Sequence, residues 1–389
     1  MFPRLLSKPL EIGQSFFLFG PRGTGKSTWL NTVFSDAETV RVDLLKSDLY
    51  TDLLARPQRI ESLIPPGFSG WVVIDEVQRV PMLLNEVHRL IETRAIRFAL
   101  TGSSTRKLRR GGVNLLAGRA LTYHMPPLLA AEMKDSFSLE RAIRFGELPF
   151  VASAPDPEGY LKAYIAAYLR EEVFQEGLVR NLANFSRFLE TASFSQGSSL
   201  NLAVVAREAA LNRNVVENYF AILEDLLIAF RLPVFTRRAQ RRLIAHPKFY
   251  FFDSGVYRAI RPSGPLDTPE ESEGAALETL CFQELRGVND VLGFGYDLFY
   301  WRTSDGMEVD FVLYGSRGLV AVEVKRCKHP SRHDLSGLRS FRKDYPLAAC
   351  HLVCGCAQRA YEDGMFLWPA AEFLSRLPEI LGKPDLPHG

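Results

Sequence analysis

Gly20-Pro21-Arg22-Gly23-Thr24-Gly25-Lys26-Ser27 reads G-x-x-x-x-G-K-S, and its flanks decide how the first third of the chain folds. Ahead of it, Ser15-Phe16-Phe17-Leu18-Phe19 is an apolar run as long as one buried strand. Behind it, Thr28-Trp29-Leu30-Asn31-Thr32-Val33-Phe34 can open a helix. A strand, a glycine turn and a helix N-terminus aim several backbone N–H groups at one polyanion, so the stretch is expected to cradle the phosphates of a nucleotide. Lys26 would reach the β- and γ-phosphates, and the Ser27 hydroxyl would ligate Mg²⁺. Gly20, Pro21, Arg22, Gly23, Thr24, Gly25, Lys26, Ser27 and Thr28 are the nucleotide-binding candidates.

A second stretch points to hydrolysis. Trp71-Val72-Val73-Ile74-Asp75-Glu76 is an apolar strand that ends in two acids. Asp75 would hold the Mg²⁺ through water, and Glu76 is placed to polarise the attacking water. Adjacent Asp-Glu at a strand end marks P-loop ATPases with an extra strand between the two motifs, and Glu38-Thr39-Val40-Arg41-Val42-Asp43-Leu44 supplies that strand. A further strand, 96–100, runs into Thr101-Gly102-Ser103-Ser104, where a hydroxyl can sense the γ-phosphate; Ser103 is the first candidate and Thr101 the second. Leu116-Ala117-Gly118-Arg119 then precedes a last strand at 120–124.

With 389 residues, 47% of them hydrophobic, the chain can bury two or three cores. A formal charge of +2 gives no global attraction to nucleic acid, so any such site is local. No apolar run approaches the ~20 residues of a membrane span. The stretch from Met1-Phe2-Pro3-Arg4 lacks the h-region expected of a signal peptide, and an odd number of cysteines, five, fits a reducing cytoplasm. Cys350, Cys354 and Cys356 alternate through an apolar strand with no Cys/His pair at zinc spacing nearby, which assigns them to core packing.

The pattern divides the chain. Residues 1–130 alternate strand and helix signals, as a doubly wound parallel sheet requires. Residues 131–190 read as a helical lid or connector, with an amphipathic run at 160–174. Residues 191–262 read as a winged helix: helices at 202–210 and 214–225 around the turn Leu211-Asn212-Arg213, then strands at 227–232 and 248–252. Arg237, Arg238, Arg241 and Arg242 lie near the wing tip, where they would neutralise DNA phosphates. Charged hairpin tips are also common, and winged helices serve as protein contacts too. The Pro/Gly/Glu-rich stretch 261–274 reads as a linker.

Residues 263–389 carry the other chemical signal. Glu278 falls on a helix at 274–286, and strands at 296–302 and 307–314 flank the turn Ser304-Asp305-Gly306, the second strand holding Asp310. In Leu319-Val320-Ala321-Val322-Glu323-Val324-Lys325, Glu323 and Lys325 project from one strand face. If that strand pairs with the Asp310 strand, Asp310, Glu323 and Lys325 converge, with Glu278 approaching from its helix. Carboxylates that close repel unless a cation neutralises them, so Asp310 and Glu323 are candidate ligands for Mg²⁺ or Mn²⁺. The ion would polarise a phosphodiester and lower the pKa of a bound water, while Lys325 orients that water or stabilises the phosphorane charge. A helix at 331–344 and a strand at 347–354 complete an order similar to restriction-endonuclease-like D…E-x-K nucleases. Such domains also persist as binding scaffolds.

As a whole, the chain resembles prokaryotic AAA-type ATPases that carry a winged helix and a C-terminal restriction-endonuclease-like domain. The resemblance covers nearly all residues. It rests on 20–27, Ile74-Asp75-Glu76-Val77-Gln78, Leu100-Thr101-Gly102-Ser103-Ser104 and Leu116-Ala117-Gly118-Arg119. It continues through Pro247-Lys248-Phe249-Tyr250-Phe251-Phe252-Asp253, Trp301-Arg302, Glu308-Val309-Asp310-Phe311 and Glu323-Val324-Lys325. The fold class it implies is α/β: a P-loop (AAA-type) parallel sheet with a helical lid, a winged helix and a restriction-endonuclease-like α/β domain. It also implies ATP binding and hydrolysis and a ring or other homo-oligomer. By position, Arg119 becomes the arginine finger that reaches a neighbouring subunit's ATP, the alternative being a salt bridge within its own subunit. The lid shows no clear sensor arginine, and Arg170-Glu171-Glu172 stands where the family often has Arg-Asp. The function expected first is an oligomer that moves or gates DNA and cuts it with a metal-dependent nuclease domain; the alternative is a nucleotide-dependent switch whose C-terminal domain binds DNA or protein without cleavage.

Overall fold

In the computed structural model, which describes residues 2–103, 116–175, 179–237, 246–262, 264 and 268–383, Phe16–Phe19 forms β1 with every side chain fully buried. A strand with both faces buried belongs inside a helix-covered sheet. Around it, in chain order, are α1 (Lys26–Val33), β2 (Thr39–Asp43), α2 (Ser47–Ala55), β3 (Trp71–Asp75), α3 (Leu83–Arg94), β4 (Arg97–Gly102) and β5 (Leu121–His124). The five strands form a parallel sheet in the order β2-β3-β4-β1-β5, so the extra strand expected between the two motifs is β2 at the edge. Alternation along β1 splits its side chains between two layers. Phe17 and Phe19 join the core with Leu53 of α2 and Leu83, Leu84, Val87 and Leu90 of α3. Phe16 meets Trp29 of α1, Phe34, Trp71 and Tyr123 at ring centroid distances of 5.6–6.4 Å. Because Phe19 lies opposite Gly102 and Ile74 opposite Leu100, the segments leaving β1, β3 and β4 emerge side by side at the carboxyl edge. This unit comprises residues 4–127 and 225–227.

A second unit holds residues 1–3, 128–224 and 228–389, which takes in 131–190, 263–389 and all of 191–262 except 225–227. The amphipathic run at 160–174 is helical throughout, but Tyr164–Glu172 is wound as a π-helix. Then come α4 (Leu182–Ser193), α5 (Leu202–Glu208) and α6 (Arg213–Asp225), α5 being capped by Asn201, whose side chain accepts from Ala203 N and Val204 N. An antiparallel ribbon of β6 (Ala229–Leu232) and β7 (Lys248–Phe251) follows, and Phe188, Tyr219, Phe220 and Phe249 pack these elements together. After α7 (Ser254–Ile260), helix α8 (Pro269–Leu292) starts inside the expected linker and outruns the expected 274–286. Proline suits a first helical position, so the composition that read as a linker is also that of a helix start.

The C-terminal elements are β8 (Asp297–Arg302), β9 (Glu308–Gly315), β10 (Gly318–Val324), α9 (Ser336–Asp344), β11 (Ala349–Cys354), β12 (Ala360–Glu362) and β13 (Met365–Pro369). They build a mixed six-stranded sheet ordered β12-β13-β11-β10-β9-β8, with β10, β11 and β13 mutually parallel. Cys350 and Cys354 are buried in β11, and burial pushes both thiols up to about 12. Besides Asp310 and Glu323, the unit buries the carboxylic acids Glu132, Glu147, Asp253 and Glu284. Glu284 accepts from Ala130 N at 2.8 Å, and Asp253 accepts from Glu147 N and Val256 N at 2.8 and 2.9 Å. Burial raises Asp253 to about 6 and Glu284 to about 8, and it lifts Glu147, which faces Glu284, well above the usual carboxyl range. No helix among the described residues is long and apolar enough to cross a membrane.

Candidate nucleotide site and acid cluster

The loop between β1 and α1 needs its glycines. Gly23 and Gly25 have φ of 83° and 90°, and a Cβ on Gly20 would lie 2.4 Å from the Met125 carbonyl oxygen. Lys26 is buried, its Nζ donating to the carbonyls of Gly20 at 2.8 Å and Pro21 at 3.1 Å. Thr24 Oγ1 donates to Pro21 O at 2.9 Å, while Arg22, Ser27 and Thr28 are exposed. Ser27 Oγ donates to Asp75 Oδ2 at 2.7 Å. The other Asp75 oxygen accepts from Thr101 Oγ1, which in turn accepts from Glu76 N at 3.2 Å.

Glu76 turns the chain at the end of β3 with φ 60° and ψ 45°, a left-handed conformation that costs a non-glycine residue about 1 kcal/mol or more. Its carboxylate accepts from Gln78 Nε2, which also donates to Ser103 Oγ at 3.1 Å. Both sensor candidates are thus wired into the strand-end acids, Thr101 through Asp75 and Ser103 through Gln78. Gln78, which is buried, was not singled out in the sequence; a polar amide just after Asp75-Glu76 and beside apolar Val77 was the available signal. Arg119 is half-buried and forms an ion pair with Glu92 of the same unit. Ser104 lies outside the described residues.

In the second unit, Glu278 comes from α8, Glu308 and Asp310 from β9, and Glu323 from β10. Val322 is opposite Phe311 in the antiparallel β9–β10 pair, which brings Glu323 level with Asp310 one step further along. Val324 N donates to Asp310 Oδ2 at 2.9 Å, and Lys325 Nζ lies 2.7 Å from Glu323 Oε1. The expected residues therefore do converge. Lys248, the first residue of β7, stands among them and was not foreseen. Its Nζ is 2.5 Å from Glu308 Oε1, 3.1 Å from Glu278 Oε1 and 3.2 Å from Asp310 Oδ1, and its side chain is only 3% exposed. An ammonium has three donors, and here each has a carboxylate. Tyr250, two residues on and on the same strand face, donates to Glu278 Oε1 at 2.5 Å.

Burial alone would lower the Lys248 pKa, but the charges of Glu278, Tyr250, Asp310 and Glu308 outweigh it and hold it well above its ordinary value. Burial, reinforced by Asp310, pushes Glu323 well above the carboxylate range, and its buried Oε2 has no partner among the described residues. The signal for Lys248 was present in Lys248-Phe249-Tyr250-Phe251-Phe252: a lysine heading a strand otherwise aromatic needs carboxylates if it is buried.

Residues 13–134 match the family model described as an AAA domain. The N-terminal unit carries an AAA-type P-loop fold. Residues 136–267 and 273–373 match two models, each described as a domain of unknown function (DUF8612 and DUF4143). Uncharacterized proteins of Mycobacterium bovis and Mycobacterium tuberculosis are each 26% identical over 354 residues, covering 90% of this chain and 78% of theirs. The crystal structure of protein VC1899 from Vibrio cholerae aligns over 89% of this chain and 97% of its own, at 13% identity and a TM-score of 0.23, too low to bear on fold.

The AAA domain implies nucleotide hydrolysis with Mg²⁺, and its residues fit that chemistry: Ser27 Oγ and the Asp75 carboxylate are adjacent oxygen donors below the phosphate loop. The acid cluster does not fit a second metal ion. Lys248 and Val324 N–H take the two Asp310 oxygens, Lys248 and Tyr250 take Glu278 Oε1, and Lys325 takes Glu323 Oε1. Among the described residues, no group of three or more His, Cys, Asp or Glu is arranged to hold a metal. Asp310 and Glu323, the carboxylates expected to need a divalent cation, are paired with Lys248 and Lys325. Of the wing arginines, Arg237 pairs with Asp297 at 3.4 Å and lies over the Tyr314 ring at 4.7 Å. Arg238, Arg241 and Arg242 lie outside the described residues.

Proposed function

We propose that this chain is an ATP-hydrolysing switch, working as a homo-oligomer in the cytoplasm, whose second unit binds DNA or protein without cleaving it. In the AAA domain, Lys26 exchanges its two loop carbonyls for the β- and γ-phosphates, a stronger charge-assisted contact. Ser27 and Asp75 would hold Mg²⁺, which would neutralise phosphate charge. Glu76, held by Gln78, would orient the attacking water, and Thr101 or Ser103 would sense the γ-phosphate. Arg119, if released from Glu92, is the group that would serve a neighbouring subunit. The helix pair α5–α6 followed by the β6–β7 ribbon supports a winged helix as the binding element. The observation that carries the non-cleaving half is Lys248 at the centre of the acids.

A second reading, cleavage of DNA with Mg²⁺ or Mn²⁺ by a restriction-endonuclease-like domain, is favoured by one observation: Asp310, Glu323 and Lys325 do meet, and Glu323 Oε2 has no partner among the described residues. The deciding experiment follows ATP turnover and DNA integrity together, with linear, single-stranded and branched DNA in either metal. The expected result is turnover that Lys26→Ala abolishes and DNA that stays intact. Cleavage lost in Glu323→Ala would establish the second reading, and turnover surviving Lys26→Ala would remove the ATPase assignment.

A further inference from the structure

The charges around Lys248 nearly balance without any ion from solution. Glu278, Glu308, Asp310 and Glu323 face Lys248, Lys325 and Arg302, whose Nη1 is 3.3 Å from Glu308 Oε2. With one carboxyl holding a proton, three cations meet three anions. A Mg²⁺ ion entering here needs oxygens at about 2.0–2.1 Å. One oxygen of each of Glu278 and Asp310, Oε1 and Oδ1, is already in contact with Lys248 Nζ.

Lys248 is not a surface side chain that steps aside. Its backbone is paired in the ribbon, Lys248 opposite Leu232, and Ser199 bridges to it from the other side. Two residues on, Tyr250 is fully buried and stacked on Phe282 of α8 at 4.6 Å. With the side chain only 3% exposed, taking the ammonium out of the cluster strips Glu278, Glu308 and Asp310 of the cation they contact.

We propose that Lys248 is the built-in cation of this cluster, occupying the position a divalent ion would need and closing the site to metal. The proposal rests on the non-cleaving reading of the second unit and deepens it. Its test measures metal binding rather than cleavage, so that the two can fail separately.

The experiment titrates Mn²⁺ into nucleotide-free full-length protein carrying Ser27→Ala and Asp75→Asn, which removes the metal donors of the phosphate loop, and follows free Mn²⁺ by electron paramagnetic resonance. With Lys248 intact, no stoichiometric Mn²⁺ binding is expected. Adding Lys248→Ala is expected to create one site per chain, and adding Asp310→Asn to that protein to remove it. One Mn²⁺ per chain with Lys248 present, lost on Asp310→Asn alone, would overturn the proposal even if no DNA is cut. So would a Lys248→Ala protein with a native circular-dichroism spectrum that gains no site. Should Lys248→Ala not fold, the titration with Lys248 in place decides by itself.

Discussion

Replacing Lys248 by methionine keeps the length and apolar stem of the side chain and removes only the ammonium. Glu278, Glu308 and Asp310 then lose the cation they share at 2.5–3.2 Å, and only Glu308 keeps another, Arg302. Removing one partner of a buried ion pair costs about 3–5 kcal/mol. The Glu278 and Glu308 side chains are 20% and 25% exposed, so water screens part of the loss and the lower end applies, about 3 kcal/mol. For a unit of this size that corresponds to a melting temperature lower by roughly 6–12 °C. The loss must also depend on pH. Glu278 and Glu323 already have folded pKa values above the ordinary 4.5, chiefly through burial, and without Lys248 they rise further. A carboxyl raised in the fold favours folding below its unfolded pKa and loses that contribution as pH rises through its folded pKa. The deficit of Lys248→Met is therefore expected to be largest near pH 8 and to shrink towards pH 5, read by thermal unfolding at both values. A variant as stable as wild type at pH 8, or a deficit identical at both, would refute the counter-ion argument.

Glu76→Gln should bind ATP normally and turn it over about 10²–10⁴-fold more slowly, the usual contribution of a positioned base; near-normal turnover would refute its role. Gln78→Leu should lower kcat on the order of 10–100-fold with little change in KM, because it releases the Glu76 carboxylate from its amide donor without touching the phosphate loop; an unchanged kcat would show that Gln78 does not position Glu76. Glu284, at about 8, and Asp253, at about 6, hold protons in the fold that the unfolded chain gives up at lower pH, so stability should fall as pH rises from 5 to 8, by up to about 1.4 kcal/mol per pH unit for each group. Glu284→Gln should flatten that slope in urea unfolding, and a slope unchanged by the substitution would rule out Glu284 as its source.

The sequence by itself determined what depends on neighbours along the chain. A phosphate loop is eight consecutive residues between a strand and a helix, so its glycines, Lys26 and Ser27 could be assigned directly. Asp75-Glu76 required only a strand end, and the shared face of Glu323 and Lys325 followed from the two-residue period of a strand. The start of α8 escaped because proline and acidic residues suit a linker and a helix N-terminus equally. Tertiary structure alone decided the rest, since it concerns groups brought together by packing. Lys248 meets Glu278 30 residues away and Asp310 62 residues away. Nothing local to β7 says which acids its ammonium will find. Arg119 has Glu92 beside it, and Gln78 links Glu76 to Ser103, for the same reason. Charge compensation in a buried site is a sum over all groups that enter it, and only the folded chain fixes the members of that sum.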